Sequence, residues 1–209
     1  MTDAGGAGGA GGAGGARGAA ERTLGLLGGS FNPPHIGHAL LALYVLETTP
    51  IDGLWLVPTW RHAFGKELAP FDDRVAMCEA LAAALGPRVS VSRAEEQVAR
   101  ARGGESRTLH TLEHLEATVP GARWRLVIGS DILAETGSWL AWDEVCRRAP
   151  PIVVGRGDHP APPGATVTPL TIPAVSSTEL RARLARGDAC AGLLPRAVSG
   201  YIAARGLYL

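Results

Sequence analysis

The sequence predicts an α/β protein: one doubly wound parallel sheet with helices covering both faces. Strand-like and helix-like segments alternate along the chain, and repeated β-then-α order implies crossover helices on the two sides of a parallel sheet. The first strand-like run, TLGLLGG, has the apolar character of a buried strand. At 209 residues the chain has room for a sizeable core in one such domain and too little for two full-sized ones.

Residues 1–22 form a Gly-Ala tail with nothing bulky to bury against its ordering entropy, so it is expected to be a disordered extension outside the 23–209 domain. TLGLLGG (23–29) then reads as a strand and HALLALYVLE (38–47) as a helix with few polar positions, buried on most sides. GLWLVPT (53–59), RVSVS (88–92) and WRLVIGS (124–130) are further strands, with helices at 72–85 and 108–117 between them. Short helical pieces run through 142–149, followed by strands at 151–156 and 166–172. Helices at 177–186 and from about 195 to 205 close the chain. Ligands of such sheets lie beyond the carboxyl ends of the strands, where the strand order reverses. Chemistry is therefore expected in the loops at 28–37, 58–71, 129–142 and 156–177.

Lysine plus arginine equals aspartate plus glutamate at 20 each, so no global field draws the protein to nucleic acid or to anionic lipid. Any anion must be held locally. Cys78, Cys146 and Cys190 are far apart and lack the spacing of a zinc knuckle or a CxxC site, and read as reduced, mostly packed thiols. The N-terminus lacks the pattern of a secretory signal, and no segment approaches the about 20 apolar residues of a membrane span. A soluble cytoplasmic protein is expected, with neither nucleic acid nor membrane as partner. Homo-oligomerisation is left open.

The stretch GGSFNPPHIGH (28–38) falls where the first strand hands over to a helix. Gly28 and Gly29 let the main chain turn and approach a ligand's phosphates, with their amides as donors. Pro33 and Pro34 stiffen the loop, and Pro34 suits the start of a helix because its missing N–H is harmless there. His35 and His38, three apart, lie on one face at the positive end of the helix dipole. Amides, a helix N-terminus and two imidazoles converging on one point suit a polyphosphate that gains negative charge during reaction. Helix capping or a metal site would use the same histidines, but HxxH needs further ligands that spacing does not name. Neither GxGxxG nor GxxxxGK[ST] occurs at this junction, which counts against hydride transfer and P-loop hydrolysis.

These residues carry a resemblance. GGSFNPPHIGH is similar to the G-x-F-x-P-x-H-x-G-H signature of the small nucleotidyltransferases, and its GGSF and PPH variant most resembles bacterial nicotinate mononucleotide adenylyltransferases. The resemblance implies a Rossmann-like nucleotidyltransferase fold, His35 and His38 as catalytic groups on the ATP phosphates, and Ser30 and Phe31 beside the nucleotide. VSSTELRARL (175–184) resembles the same family's second signature, implying that Ser176, Ser177, Thr178 and Arg181 grip the β- and γ-phosphates. By itself the segment reads as a helix start with hydroxyls and free amides at its positive end, which an ordinary N-cap also has. IGSDILAETGSWLAW (128–142) resembles a third region. Gly129 there permits close approach, Asp131 can accept from a ribose, and a tryptophan stacks on the pyridine ring in the family. Trp139 is the first candidate for that ring and Trp142 the reserve; both also suit a core anchor.

In SRTLHTL (106–112), Thr108 and Thr111 match threonines that contact the nicotinate in the family, whereas Arg107 and His110 depart from its tyrosine and aspartate. The loop at 57–74 lacks the family's P-x-x-P-H-[KR] spacing and offers Lys66, and Arg156 follows a later strand; either would face an anionic substrate. Transfer of AMP from ATP to nicotinate mononucleotide is what the resemblance implies, with magnesium carried on the ATP and no metal cage of protein side chains. The same chemistry on nicotinamide mononucleotide or another phosphorylated acceptor is the near alternative. A nucleotide-binding protein without catalysis is the alternative from another class.

Overall fold

A computed structural model of the chain describes residues 21–61, 68–104, 106–155, 161–170 and 175–209. The expected tail (to residue 20), Lys66 and Arg156 lie outside the described residues. Strand β1 (Arg22–Gly29) starts one residue earlier than its sequence pattern suggests, and Glu21 pairs with Arg123 beside it. It is followed by α1 (Ile36–Thr48), β2 (Gly53–Pro58), α2 (Phe71–Leu85), β3 (Val89–Val91), α3 (Ala94–Arg102) and α4 (Thr108–Thr118). The second half runs β4 (Ala122–Gly129), two short 3-10 turns, α5 (Trp142–Arg148), β5 (Ile152–Val154), β6 (Thr166–Thr168), α6 (Ser177–Ala185) and α7 (Arg196–Arg205).

Among the described residues six strands form one all-parallel sheet in the order β3-β2-β1-β4-β5-β6. This is the doubly wound Rossmann order, and its reversal point lies between β1 and β4. The central strands bury both faces, which is why their sequences are continuously apolar rather than alternating. Leu54 and Leu56 of β2 and Val127 of β4 point into one core, together with residues of α1, α2, α6 and α7. Leu24 and Leu26 of β1 and Trp124, Leu126 and Ile128 of β4 point into the other, with Leu112 and Leu115 of α4 and Val145 of α5. Each fully buried Leu or Val contributes about 1.5–3 kcal/mol of hydrophobic stabilisation.

Several sequence expectations shift. Helix α1 begins at Ile36 rather than at 38, because His35 already stands in extended backbone as its N-cap. Helix α3 was not expected: AEEQVARAR is polar, and only Ala94, Glu96, Val98 and Ala99 are buried. Among the described residues, β5 and β6 each place three residues in the ladder, and the expected runs 151–156 and 166–172 extend beyond the described residues. Cys78, Cys146 and Cys190 are free, the first two buried. No helix among the described residues is long and apolar enough to cross a membrane.

Candidate active site

At the carboxyl end of β1 the chain must leave a buried strand and enter a buried helix within six residues. Phe31 solves the turn with a left-handed backbone (φ 45) and drops its ring into the core, fully buried and 4.9 Å from the ring of His38. Asn32, 1% exposed, accepts from the Ala69 N–H (3.0 Å) and the Tyr208 hydroxyl (2.9 Å) through one side-chain oxygen. From α2, the buried Arg74 donates to the carbonyls of Ser30 (2.9 Å), Thr59 (2.7 Å), Trp60 (3.3 Å) and Ala69 (3.0 Å). From α6, Arg181 donates to the Asn32 carbonyl (2.8 Å) and Ser177 to the Pro33 carbonyl (3.0 Å). The loop is thus clamped by groups far away in sequence.

The clamped loop presents His35 and His38. Their rings lie 3.8 Å apart, centroid to centroid, at the N-terminus of α1. The Nδ1 of His38 accepts the His35 backbone N–H at 3.1 Å, which leaves Nε2 as the proton-bearing nitrogen of the neutral ring. Burial lowers the His35 pKa to about 4, and burial together with the neighbouring His35 holds His38 well below its usual value. Nδ1 of His35 is buried without a hydrogen-bond partner. Two neutral imidazoles, one with an orphaned ring nitrogen, sit where the positive end of the α1 dipole favours anions.

They open onto a cleft of about 1000 Å³ above the β1/β4 reversal point. Gly28, Gly29 and Ser30 line it from β1, and Gly129 and Asp131 from β4. A side chain on Gly28 would stand in open space, so main chain is what a ligand meets there. A Cβ on Gly129 would lie 2.4 Å from an Asp131 carboxylate oxygen; the missing side chain is what lets Asp131 fold back over the strand end. Thr108, Thr111 and Trp139 line the cleft as well. Thr111 is almost wholly buried, and its hydroxyl points back to the Arg107 carbonyl (3.3 Å). Trp139 meets Trp142 edge-on at 5.3 Å, and both lean on the second core, so Trp139 is an anchor and a cleft wall at once.

Of the residues singled out by sequence, ten therefore share this cleft: Gly28, Gly29, Ser30, His35, His38, Thr108, Thr111, Gly129, Asp131 and Trp139. Phe31 lies beneath it, and its side chain shapes the loop rather than the cleft surface. Ser177 and Arg181 support the loop from α6, while Ser176 and Thr178 are exposed at that helix's start. Two residues of the site escape a reading of sequence alone. Arg74 looks like one more charge at the start of a helix. Glu95 lines the cleft from the unexpected α3, accepting from the Trp60 N–H (3.0 Å) and the Ser106 hydroxyl (2.6 Å). The S-x-x-E spacing of Ser92 and Glu95 was the available signal for that helix. Among the described residues no group of three His, Cys, Asp or Glu side chains is placed to hold a metal.

A doubly wound sheet with a paired-histidine helix start at its reversal point defines a nucleotidyltransferase. The cytidylyltransferase-like family model matches residues 26–183. A protein of Anaeromyxobacter sp. (strain K) described as "Probable nicotinate-nucleotide adenylyltransferase" is 50% identical over 187 residues, covering 90% of this chain and 97% of its own. One of the same description from Myxococcus xanthus is 43% identical over 183 residues, covering 88% and 93%. The chain belongs to the cytidylyltransferase-like family and, within it, to the nicotinate-nucleotide adenylyltransferases. A solved structure of Plasmodium falciparum nicotinic acid mononucleotide adenylyltransferase complexed with NaAD shares the fold, with a TM-score of 0.72 at 18% identity over 90% of this chain and 97% of that one. Nucleotidyltransferases of this kind use a divalent metal with their nucleotide.

Proposed function

We propose that this protein transfers AMP from ATP to nicotinate mononucleotide, forming nicotinate adenine dinucleotide and pyrophosphate in NAD biosynthesis. The close, tilted His35–His38 ring pair at the start of α1 is the observation that carries the reading. ATP lies along the β1 and β4 ends, its phosphates over the Gly28–Ser30 backbone and its ribose on Asp131. Ser176 and Thr178 meet the terminal phosphates from α6. The acceptor occupies the wall of Thr108, Thr111 and Trp139, with its pyridine ring against Trp139. Magnesium arrives as part of the ATP substrate and keeps most of its waters, as a small hard cation bound mainly by phosphates does.

The acceptor's phosphate is already ionised at neutral pH. One of its oxygens attacks the α-phosphorus in line, a new P–O bond forms, and the bond to the bridging oxygen of the departing pyrophosphate breaks. No general base is needed, so catalysis rests on positioning and on donors aimed at developing charge. The Nε2–H of His38 is such a donor, and His35, beside it at the cleft, is a second once phosphate raises its proton affinity. Pyrophosphate release should require ATP, magnesium and nicotinate mononucleotide together. His38→Ala should lower turnover by about 10²-fold or more while leaving the urea midpoint close to that of the parent. ATP binding without pyrophosphate release in the presence of either mononucleotide would instead mark a nucleotide-binding protein without catalysis.

A further inference from the structure

The Asp, Glu, Lys and Arg residues lining the cleft, among the described residues, are Glu95, Asp131, Glu135, Arg61 and Arg107. One carboxylate oxygen of Glu95 accepts from the Trp60 N–H and from the Ser106 hydroxyl, the residues immediately before the two arginines. A single group on α3 therefore fixes the two separate chain segments that carry the cleft's arginines.

We propose that Arg107 pairs with the carboxylate on the acceptor's pyridine ring, so that this chain prefers nicotinate mononucleotide over its carboxamide analogue, and that Glu95 is the positioning residue behind it. The inference rests on the acceptor assigned above. That acceptor carries anionic groups at opposite ends. Its phosphate must reach the α-phosphorus beside His35 and His38, which belong to the helix layer of α1. Its pyridine end is then directed to the other layer, where Leu109 of α4 and Trp139 pack on one core. Arg107 stands there in extended backbone (φ −125, ψ 149) as the N-cap of α4, exposed on the cleft and next to Thr108. Arg61 follows β2, on the side of β1 away from β4.

A guanidinium matches a carboxylate with two parallel N–H···O bonds, and the positive end of α4 favours the same charge. A carboxamide offers one oxygen and brings an NH2 donor against those donors. The discrimination is thus electrostatic as well as geometric.

The test is kcat/KM for nicotinate mononucleotide and for nicotinamide mononucleotide in the wild type and in variants. Arg107→Gln should lose about 10- to 100-fold on the acid, mostly through KM, and little on the amide, collapsing the ratio. Glu95→Leu should collapse it likewise, while Glu95→Gln, whose amide oxygen still accepts both bonds, should restore it. An unchanged ratio in Arg107→Gln, or a collapse in Arg61→Gln instead, overturns the inference. Should the wild type release no pyrophosphate with nicotinate mononucleotide, the proposed reaction fails. Calorimetric titration with that mononucleotide alone then decides the inference: weaker binding by Arg107→Gln upholds it, and equal or undetectable binding by both proteins overturns it.

Discussion

Gly129 is a residue whose missing side chain is occupied by its neighbour. Because a Cβ there would come within 2.4 Å of an Asp131 carboxylate oxygen, Gly129→Ala must swing Asp131 outward. Asp131 is exposed, so the fold should tolerate the change; the ribose contact proposed for it should not. The expected result is a KM for ATP raised about tenfold, the worth of one lost hydrogen bond of about 1.4 kcal/mol, with little change in the urea midpoint. Steady-state kinetics at saturating acceptor would check it. At this scale the residues with local chemistry were legible in the sequence. His35 and His38 are three apart, which sets the cap residue beside the first turn of α1 rather than both on one helix face, and Gly129 and Asp131 are two apart. Arg74 and Glu95 were not, because their partners are distant: Arg74 reaches Ser30, and Glu95 reaches Trp60. Nothing in a run of neighbouring residues encodes such a pairing.

Helix α7 and the residues after it act on the site without lining it. Tyr201 donates to Asp73 of α2 (2.8 Å), and Arg205 pairs with the same carboxylate (3.1 Å), fastening α7 to α2. The chain then turns at Gly206, left-handed at φ 60, and Tyr208 brings its hydroxyl to Asn32. Tyr208→Phe removes one of the bonds on a buried amide oxygen and should cost about 1 kcal/mol of stability. Loosening of the histidine loop should lower kcat several-fold beyond that modest structural effect. Urea titration and turnover of one preparation would separate the two. Elements with long apolar runs were read correctly from sequence. Helix α3 was missed because its mean character is polar and its buried face is mainly alanine and valine. Helix α1 was placed two residues late because its cap is a histidine, outside the usual Ser, Thr, Asp and Asn set.

Across the whole molecule, parallel order was legible because both faces of each central strand are apolar. The strand sequence 3-2-1-4-5-6 was not, since pairing between distant strands leaves no local mark. The same burial that makes the sheet makes the site sensitive to acid. His35 has a folded pKa of about 4 against about 6.5 in an unfolded chain, so the unfolded state binds the proton first as pH falls. Its contribution is fully present above pH 6.5 and lost as pH drops toward 4. About 2 kcal/mol should disappear between pH 7.5 and 5, and His38, shifted in the same direction, adds to the loss. Urea midpoints at the two pH values should fall further in the wild type than in His35→Gln.

The loop bearing these histidines is held by Arg74 of α2, by Ser177 and Arg181 of α6, and by Tyr208 beyond α7. It has no private route to unfolding, because freeing it means detaching three elements that also share the first core. Catalytic competence and global cooperativity become one event: denaturant silences the enzyme where the sheet itself comes apart, with no earlier regime of intact fold and melted site.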